Sequence, residues 1–298
     1  MSLIKSSKLS INLKHGVFML LCLVCLYPIA LVIGISFSDE LEIAKSGFDI
    51  FPAKTSMRAY EFIFTSADSV MRAYGLTIFV TVVGTLASTL IIAMFAYPLS
   101  RKDFGGRKFF NGLIVLTLLF SGGLIPWFMV CVNVLHINDT IWALILPYLM
   151  NSWYVVIMRT FFKTSIPDSI VESAKMDGAT ELQIFFRIVI YLAAPGMATI
   201  ALFNTIVYWN DYWINLTLIN DPMLQNLQFL MYRVQANIQY LSANAGNLGT
   251  AAAEVARNLP SRSAQMAMTV ISIGPIIMAY PFFQRYFVRG ITVGSIKE

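Results

Sequence analysis

Six stretches of the chain, roughly 16 to 37, 73 to 99, 109 to 132, 141 to 158, 189 to 210 and 264 to 284, contain no Lys, Arg, Asp or Glu. A bilayer core asks for about 20 mainly apolar residues per spanning helix. In lipid the backbone must satisfy its own hydrogen bonds, so such stretches imply helices. The fold class expected is therefore an all-α integral membrane bundle of six transmembrane helices. The balance of 57% hydrophobic to 12% charged residues agrees, since a soluble domain of 298 residues would have to display large apolar patches. Lys5, Lys8 and Lys14 precede the first stretch as in a signal peptide, but its length and the lack of a small-x-small cleavage site point to a retained signal anchor.

Orientation follows from the basic residues of the connections. The N-terminus, the second and fourth connections and the tail carry 14 Lys and Arg: Lys5, Lys8, Lys14, Arg101, Lys102, Arg107, Lys108, Arg159, Lys163, Lys175, Arg187, Arg285, Arg289 and Lys297. The other side carries 7: Lys45, Lys54, Arg58, Arg72, Arg233, Arg257 and Arg262. Both termini are expected in the cytoplasm. The organisation that results is an N-terminal tail and first helix over 1–37, an external loop over 38–72, a core permease-like domain of five helices over 73–288, and a cytoplasmic tail over 289–298. Within the core lie a cytoplasmic loop, 163–188, and a long external loop, 211–263. Long external loops suit either an extracytoplasmic partner or simple capping of the bundle.

Several function classes fit poorly. Ion-driven carriers use ionisable or polar ligands at the membrane midplane, and the six stretches offer no carboxylate and no base. No G-x-x-x-x-G-K-[ST] loop is present, so any ATP energy has to come from a partner. The two histidines, His15 and His136, fall on opposite faces and form no catalytic constellation; the expectation is no enzyme, no metal and no cofactor bound by this chain. Cys22, Cys25 and Cys131 all lie in apolar runs, where they read as small lipid-buried residues; Cys22 and Cys25 match a redox spacing without its structural context.

The segment between the fourth and fifth stretches is the informative one. Pro167 and Asp168 suit a helix start, where the missing amide is not needed and a negative charge meets the helix dipole. Asp177-Gly178 suits a sharp turn with positive φ. Leu182, Phe185, Phe186 and Val189 follow at i, i+3, i+4 and i+7, which predicts a single apolar stripe on a second helix. Thr180 is assigned no part in the turn. Lys163, Lys175 and Arg187 balance Glu172, Asp177 and Glu181, whereas a helix lying on the membrane surface is usually basic, so docking on protein is the better reading.

These residues resemble the E-A-A-x-x-D-G-A motif with which permeases of binding-protein-dependent ABC importers dock on their ATPase. Glu172, Ala174, Asp177, Gly178 and Ala179 match in register, as do Phe185 and Ile188, while Ser173 replaces an alanine and Tyr191 the first of two following prolines; Pro195 matches the second. Further likeness to the maltose-type carbohydrate branch runs through Ala96 to Lys102, Ser121-Gly122-Gly123-Leu124-Ile125-Pro126, which is similar to a subgroup handling larger oligosaccharides, Trp209-Asn210-Asp211, and the tail from Gln284 to Gly294. The resemblance implies a type I ABC importer permease subunit in the cytoplasmic (inner) membrane of a bacterium. It would work with a second non-identical permease, two ATPase subunits that hold ATP and Mg2+, and an extracytoplasmic solute-binding protein, to import a sugar. A permease for an amino acid or phosphate is the alternative within the class, and a secondary carrier the one outside it. It also implies an ATPase-coupling set of Glu172, Ser173, Ala174, Asp177, Gly178, Ala179, Leu182, Phe185 and Phe186.

Trp127, Trp142, Trp153, Trp209 and Trp213 fall near the ends of the stretches, where an aromatic belt is the default and stacking on a sugar face the second reading. Trp209, Asn210, Asp211 and Trp213 form the candidate substrate-pathway cluster at the outer end of the fifth helix. Gly84 and Ser88, four apart, predict a close helix approach.

Overall fold

The computed structural model describes residues 8–65, 67–244 and 261–294. Lys5, Arg257 and Lys297 of the topology reading, and 245–260 of the long loop, lie outside the described residues. The chain divides into two compact units, Met1–Ala67 with Arg233–Gly274, and Asp68–Tyr232 with Pro275–Glu298.

In the first unit, helix α1 (Lys8–Ser36) is apolar on all sides and exposed from Lys14 through Ile29, as a helix with lipid for solvent should be. Cys22 and Cys25 lie on this surface, whereas Cys131 of the second unit is buried. Beyond α1 the chain forms a small hairpin-like fold: Ser38 and Thr55 make an isolated antiparallel bridge, Phe37 stacks on Tyr60 at 5.0 Å, and α2 (Glu40–Ser46) and α3 (Arg58–Phe64) pack around it. Asp39 caps α2 by accepting from the Leu41 amide.

The second unit is built on α4 (Ala67–Ser100), an unbroken 34-residue helix that begins before the expected 73. Then come α5 (Arg107–Leu119), α6 (Leu124–Met129) with a π turn over Val130–Val134, α7 (Ile141–Ile145) with a 3-10 turn over Leu146–Tyr148, and α8 (Ser152–Ser165). Helix α9 (Asp168–Met176) leads to α10 (Glu181–Ile184), a π turn over Phe185–Val189 and α11 (Ile190–Leu192). They continue into α12 (Ala194–Asn210), α13 (Trp213–Leu218) and α14 (Leu227–Ala243); α15 (Ser261–Gly294) spans the sixth expected stretch.

Among the described residues two helices, Lys14–Ser36 and α4, are long and apolar enough to cross a bilayer unbroken. Three of the other expected spans are bent pairs: Arg107–Leu119 with Leu124–Val134 by 118°, Ile141–Tyr148 with Ser152–Ser165 by 51°, and Glu181–Leu192 with Ala194–Asn210 by 82°. Counting each pair as one gives up to five spans by this measure. Charge-free runs report solvent, not continuity. The first break falls at Ser121-Gly122-Gly123, and the second follows Pro147, whose ring removes a helix hydrogen bond and favours a kink, although Pro28 and Pro98 are carried within α1 and α4.

The core of this unit is two clusters. One packs Ile92, Ala96, Leu99, Val155, Phe162, Ile184, Phe185 and Val189; the other packs Val80, Cys131, Leu144, Tyr208 and Leu218. The expected close approach is realised, for a Cβ on Gly84 would lie 2.5 Å from Tyr208 Cζ, and buried Ser88 donates to the Tyr148 carbonyl at 3.3 Å. Two buried hydroxyls of α4 find partners across the core, Thr85 meeting Thr205 at 3.3 Å and Thr89 accepting from Asn204 at 3.3 Å, whereas buried Thr81 Oγ1 has none.

Candidate functional site: a locked helix and its turn

The local fold explains each motif residue between α8 and α10. Pro167, extended at φ −60° and ψ 137°, is the N-cap of α9, and Asp168 occupies the first turn, where the dipole favours it. At the other end the Ala179 amide donates to the Ala174 carbonyl and the Gly178 amide to the Lys175 carbonyl, both at 3.0 Å. That pair of bonds is a Schellman motif, which requires a left-handed residue in the Gly178 position. Gly178 is there at φ 81°, with nothing within 4 Å of where a Cβ would stand, so its glycine answers to the backbone alone. Ala174 is buried, and Ala179 packs on the same core cluster, the apolar contact that accompanies this cap. Glu172, Ser173 and Asp177 are exposed, and among the described residues neither Glu172 nor Asp177 forms an ion pair.

Two sequence expectations change here. Thr180 does have a part: it is the N-cap of α10 in a capping box, accepting from the Gln183 amide while its own amide donates to Gln183 Oε1 at 2.9 Å. The predicted single stripe is split, with Phe185 3% and Val189 0% exposed but Leu182 64% and Phe186 44%. The π turn, closed by the Ile190 amide on the Phe185 carbonyl, adds a residue to one turn and shifts the helix phase. Ile184, Phe185 and Val189 thus pack inward, while Leu182 and Phe186 stay on the surface; Met176 at the end of α9 is exposed as well.

Residues just after α4 hold this segment. Arg101 Nη1 donates to Asp168 Oδ1 at 3.0 Å, with Lys102 Nζ 3.7 Å from Asp168 Oδ2. Lys175 Nζ lies 2.8 Å from Asp103 Oδ2 and 2.7 Å from Glu181 Oε1. The Lys175 hydrogen bond holds the Asp103 carboxyl below the usual range, and Asp103, then Glu181, raise the Lys175 ammonium. A cavity of about 400 Å3 opens alongside, lined by Tyr97, Arg101, Asp103 and Glu181 on its polar side and by Met94, Phe104, Leu182 and Phe185 among its apolar walls. Arg101 lies in the Ala96 to Lys102 stretch that carries the resemblance but is assigned no role there, and Asp103, just beyond that stretch, carries no motif signal.

The second candidate cluster is divided by burial. Trp209 is 4% and Asp211 8% exposed, while Asn210 and Trp213 are exposed. Trp209 is therefore a core residue rather than a belt residue, unlike exposed Trp142, Trp153 and Trp213. Asp211 Oδ1 accepts from Tyr148 OH at 2.8 Å and from the Ile214 amide at 3.2 Å, so it caps α13. Its carbonyl accepts from Asn226 Nδ2, whose own amide donates to Asn215 Oδ1 at 3.1 Å, and the Leu227 amide donates to Thr77 Oγ1 at 2.8 Å. Among the described residues no group of His, Cys, Asp and Glu is arranged to hold a metal.

Residues 17–293 match the model of the family described as binding-protein-dependent transport system inner membrane component. The chain is 36% identical over 285 residues to the polygalacturonan/rhamnogalacturonan transport system permease protein YtcP of Bacillus subtilis, covering 96% of this chain and 97% of that one. It is 27% identical to the arabinooligosaccharides transport system permease protein AraQ of Halalkalibacterium halodurans, over 94% of each chain. A chain of a bacterial ABC transporter involved in the import of the acidic polysaccharide alginate superposes with a TM-score of 0.78 at 28% identity, covering 96% of this chain and all of that one. With a family match over nearly its whole length, this chain belongs to the inner membrane components of binding-protein-dependent transport systems.

Proposed function

We propose that the chain is the permease subunit through which an oligosaccharide crosses the inner membrane, driven by ATP that partner subunits hydrolyse. The observation that carries the reading is the α9 to α10 segment. A rigid helix with exposed Glu172 and Asp177, and exposed Met176, Leu182 and Phe186 beside it, offers a partner both charge and apolar contact. The sugar follows from the relatives named above. The assembly proposed is this chain, a second non-identical permease, two ATPase subunits holding ATP and Mg2+, and an external solute-binding protein. Six spans with both termini in the cytoplasm put α9 on the ATPase side.

Of the pathway candidates, Asn210 and Trp213 are placed to meet substrate, whereas Trp209 and Asp211 act by holding the turn. The helix breaks at Ser121–Gly123 and around Asn151 also belong on the pathway side or against the second permease. Exposed non-helical backbone is not tolerated against hydrocarbon.

The test is reconstitution of the whole transporter, with uptake of labelled oligosaccharide and ATP hydrolysis measured with and without loaded binding protein. Glu172→Lys should leave the subunit inserted while abolishing uptake and stimulated hydrolysis; normal values for both would remove α9 as the docking element. Cysteines at Lys102 and Lys175 should react with impermeant reagents only from the cytoplasm, and one at Lys54 only from outside.

A further inference from the structure

Helix α9 is tied at both ends to three consecutive residues that follow α4. Its first residue, Asp168, meets Arg101 and Lys102, and Lys175 in its last turn meets Asp103. The second tie continues across the Gly178 turn, because Lys175 also reaches Glu181, which accepts from Tyr97 OH at 3.4 Å. We propose that Arg101 and Asp103 are positioning residues that make α9 and α4 a single moving body, so that α4 is the lever carrying the ATPase stroke into the bundle. This rests on the reading that α9 receives the ATPase.

Two observations favour a positioning role over a stabilising one. Exposed ion pairs such as Lys175 with Asp103 contribute little to stability. Arg101 is 7% exposed, yet its Nε and Nη2 have no hydrogen-bond partner, so the guanidinium charge rests on Asp168 and on the Tyr97 ring, 5.2 Å from Cζ. Burying a cation with three of its five N–H donors idle costs stability. What the arrangement provides is direction. Val171 and Ala174 are the buried residues of α9, a small apolar footing that resists sliding poorly; anchors at both ends fix the helix against rotation.

The choice of α4 follows from continuity. The routes out of this segment through α8 and through α10 to α12 are bent by 51° and 82°, while α4 runs unbroken from Ala67 to Ser100. A displacement at its end is carried along its length, where a bent pair would flex.

The experiment uses the reconstituted full transporter with spin labels at Ile91 on α4 and Ser169 on α9, both exposed. The interlabel distance should stay single and unchanged between the nucleotide-free and ATP-trapped states. In Asp103→Asn/Lys175→Gln, and in Arg101→Gln, the distribution should broaden and substrate carried per ATP hydrolysed should fall at least about fivefold, with the ATPase still co-purifying. Asp103→Asn/Lys175→Gln alters only exposed positions, so it remains informative if Arg101→Gln does not insert; Arg101→Lys, which keeps the charge, should recover part of the loss. A nucleotide-dependent distance in the unmodified protein, or an unchanged uptake-to-ATP ratio in Asp103→Asn/Lys175→Gln, would overturn the proposal. The docking reading fails separately, by normal stimulation in Glu172→Lys.

Discussion

Two turns of the second unit, each holding a carboxylate at a helix end, are closed in opposite ways. At the end of α9, Asp177 and Gly178 form a turn closed by backbone bonds, which leaves the carboxylates of Glu172 and Asp177 on the surface. After α12, Asp211 is used by the fold itself, accepting hydrogen bonds from the Tyr148 hydroxyl and the Ile214 amide in a buried site. The first arrangement keeps side chains available for another protein, and the second spends a side chain to hold its own loop. A carboxylate near a helix end is thus a docking group or a structural cap according to whether backbone or side chain closes the turn.

The sharpest way to break this contrast is Gly178→Val. No atom obstructs the new side chain, so the expected loss of uptake and stimulated hydrolysis comes from backbone strain of roughly 1–2 kcal/mol or more in a left-handed conformation. Gly178→Asn, which tolerates that conformation, should keep most activity. Equal damage from Asn and Val would show that the turn geometry is not what matters.

Asp211→Ala should act on the other turn and in another currency. Leaving the Tyr148 hydroxyl and the Ile214 amide without their acceptor costs about 1–3 kcal/mol, read as a lower melting temperature of the solubilised subunit. Transporters that assemble should keep their stimulated ATPase. An unchanged melting temperature with altered substrate preference would return Asp211 to the pathway.

Thr180→Ala is expected to cost about 1 kcal/mol of helix stability through loss of the capping box, with a partial fall in coupling. If its uptake and melting curve match the unmodified protein, the first reading of Thr180 as a bystander is restored. The smallest effect expected is that of pH. With Asp103 held below its usual range by Lys175, and Lys175 raised by Asp103, both stay charged from about pH 6 to 8. This ion pair strengthens the fold above the ordinary carboxylate range and is lost only as pH falls through the lowered Asp103 value. A steep change in coupling ratio within that window, absent in Asp103→Asn, would contradict it.

The sequence by itself determined the solvent of this protein and the local geometry of the segment from Pro167 to Gly178. Apolar runs without charges leave lipid as the only partner for so much surface, and the turn after Asp177 depends on neighbours in the chain, so Pro167, Asp168 and Gly178 were legible locally. What tertiary structure decided is which way side chains face and where helices stop being straight. The π turn at Phe185 rotates half of the expected stripe inward, because an i→i+5 bond leaves no mark on residue spacing. The hydrogen bond that seats Asp211 comes from Tyr148, 63 residues away, and the ties that join the end of α4 to α9 link residues 67 and 72 apart in sequence. Such pairings arise only when the core brings distant helices together, and a linear pattern has no term for them.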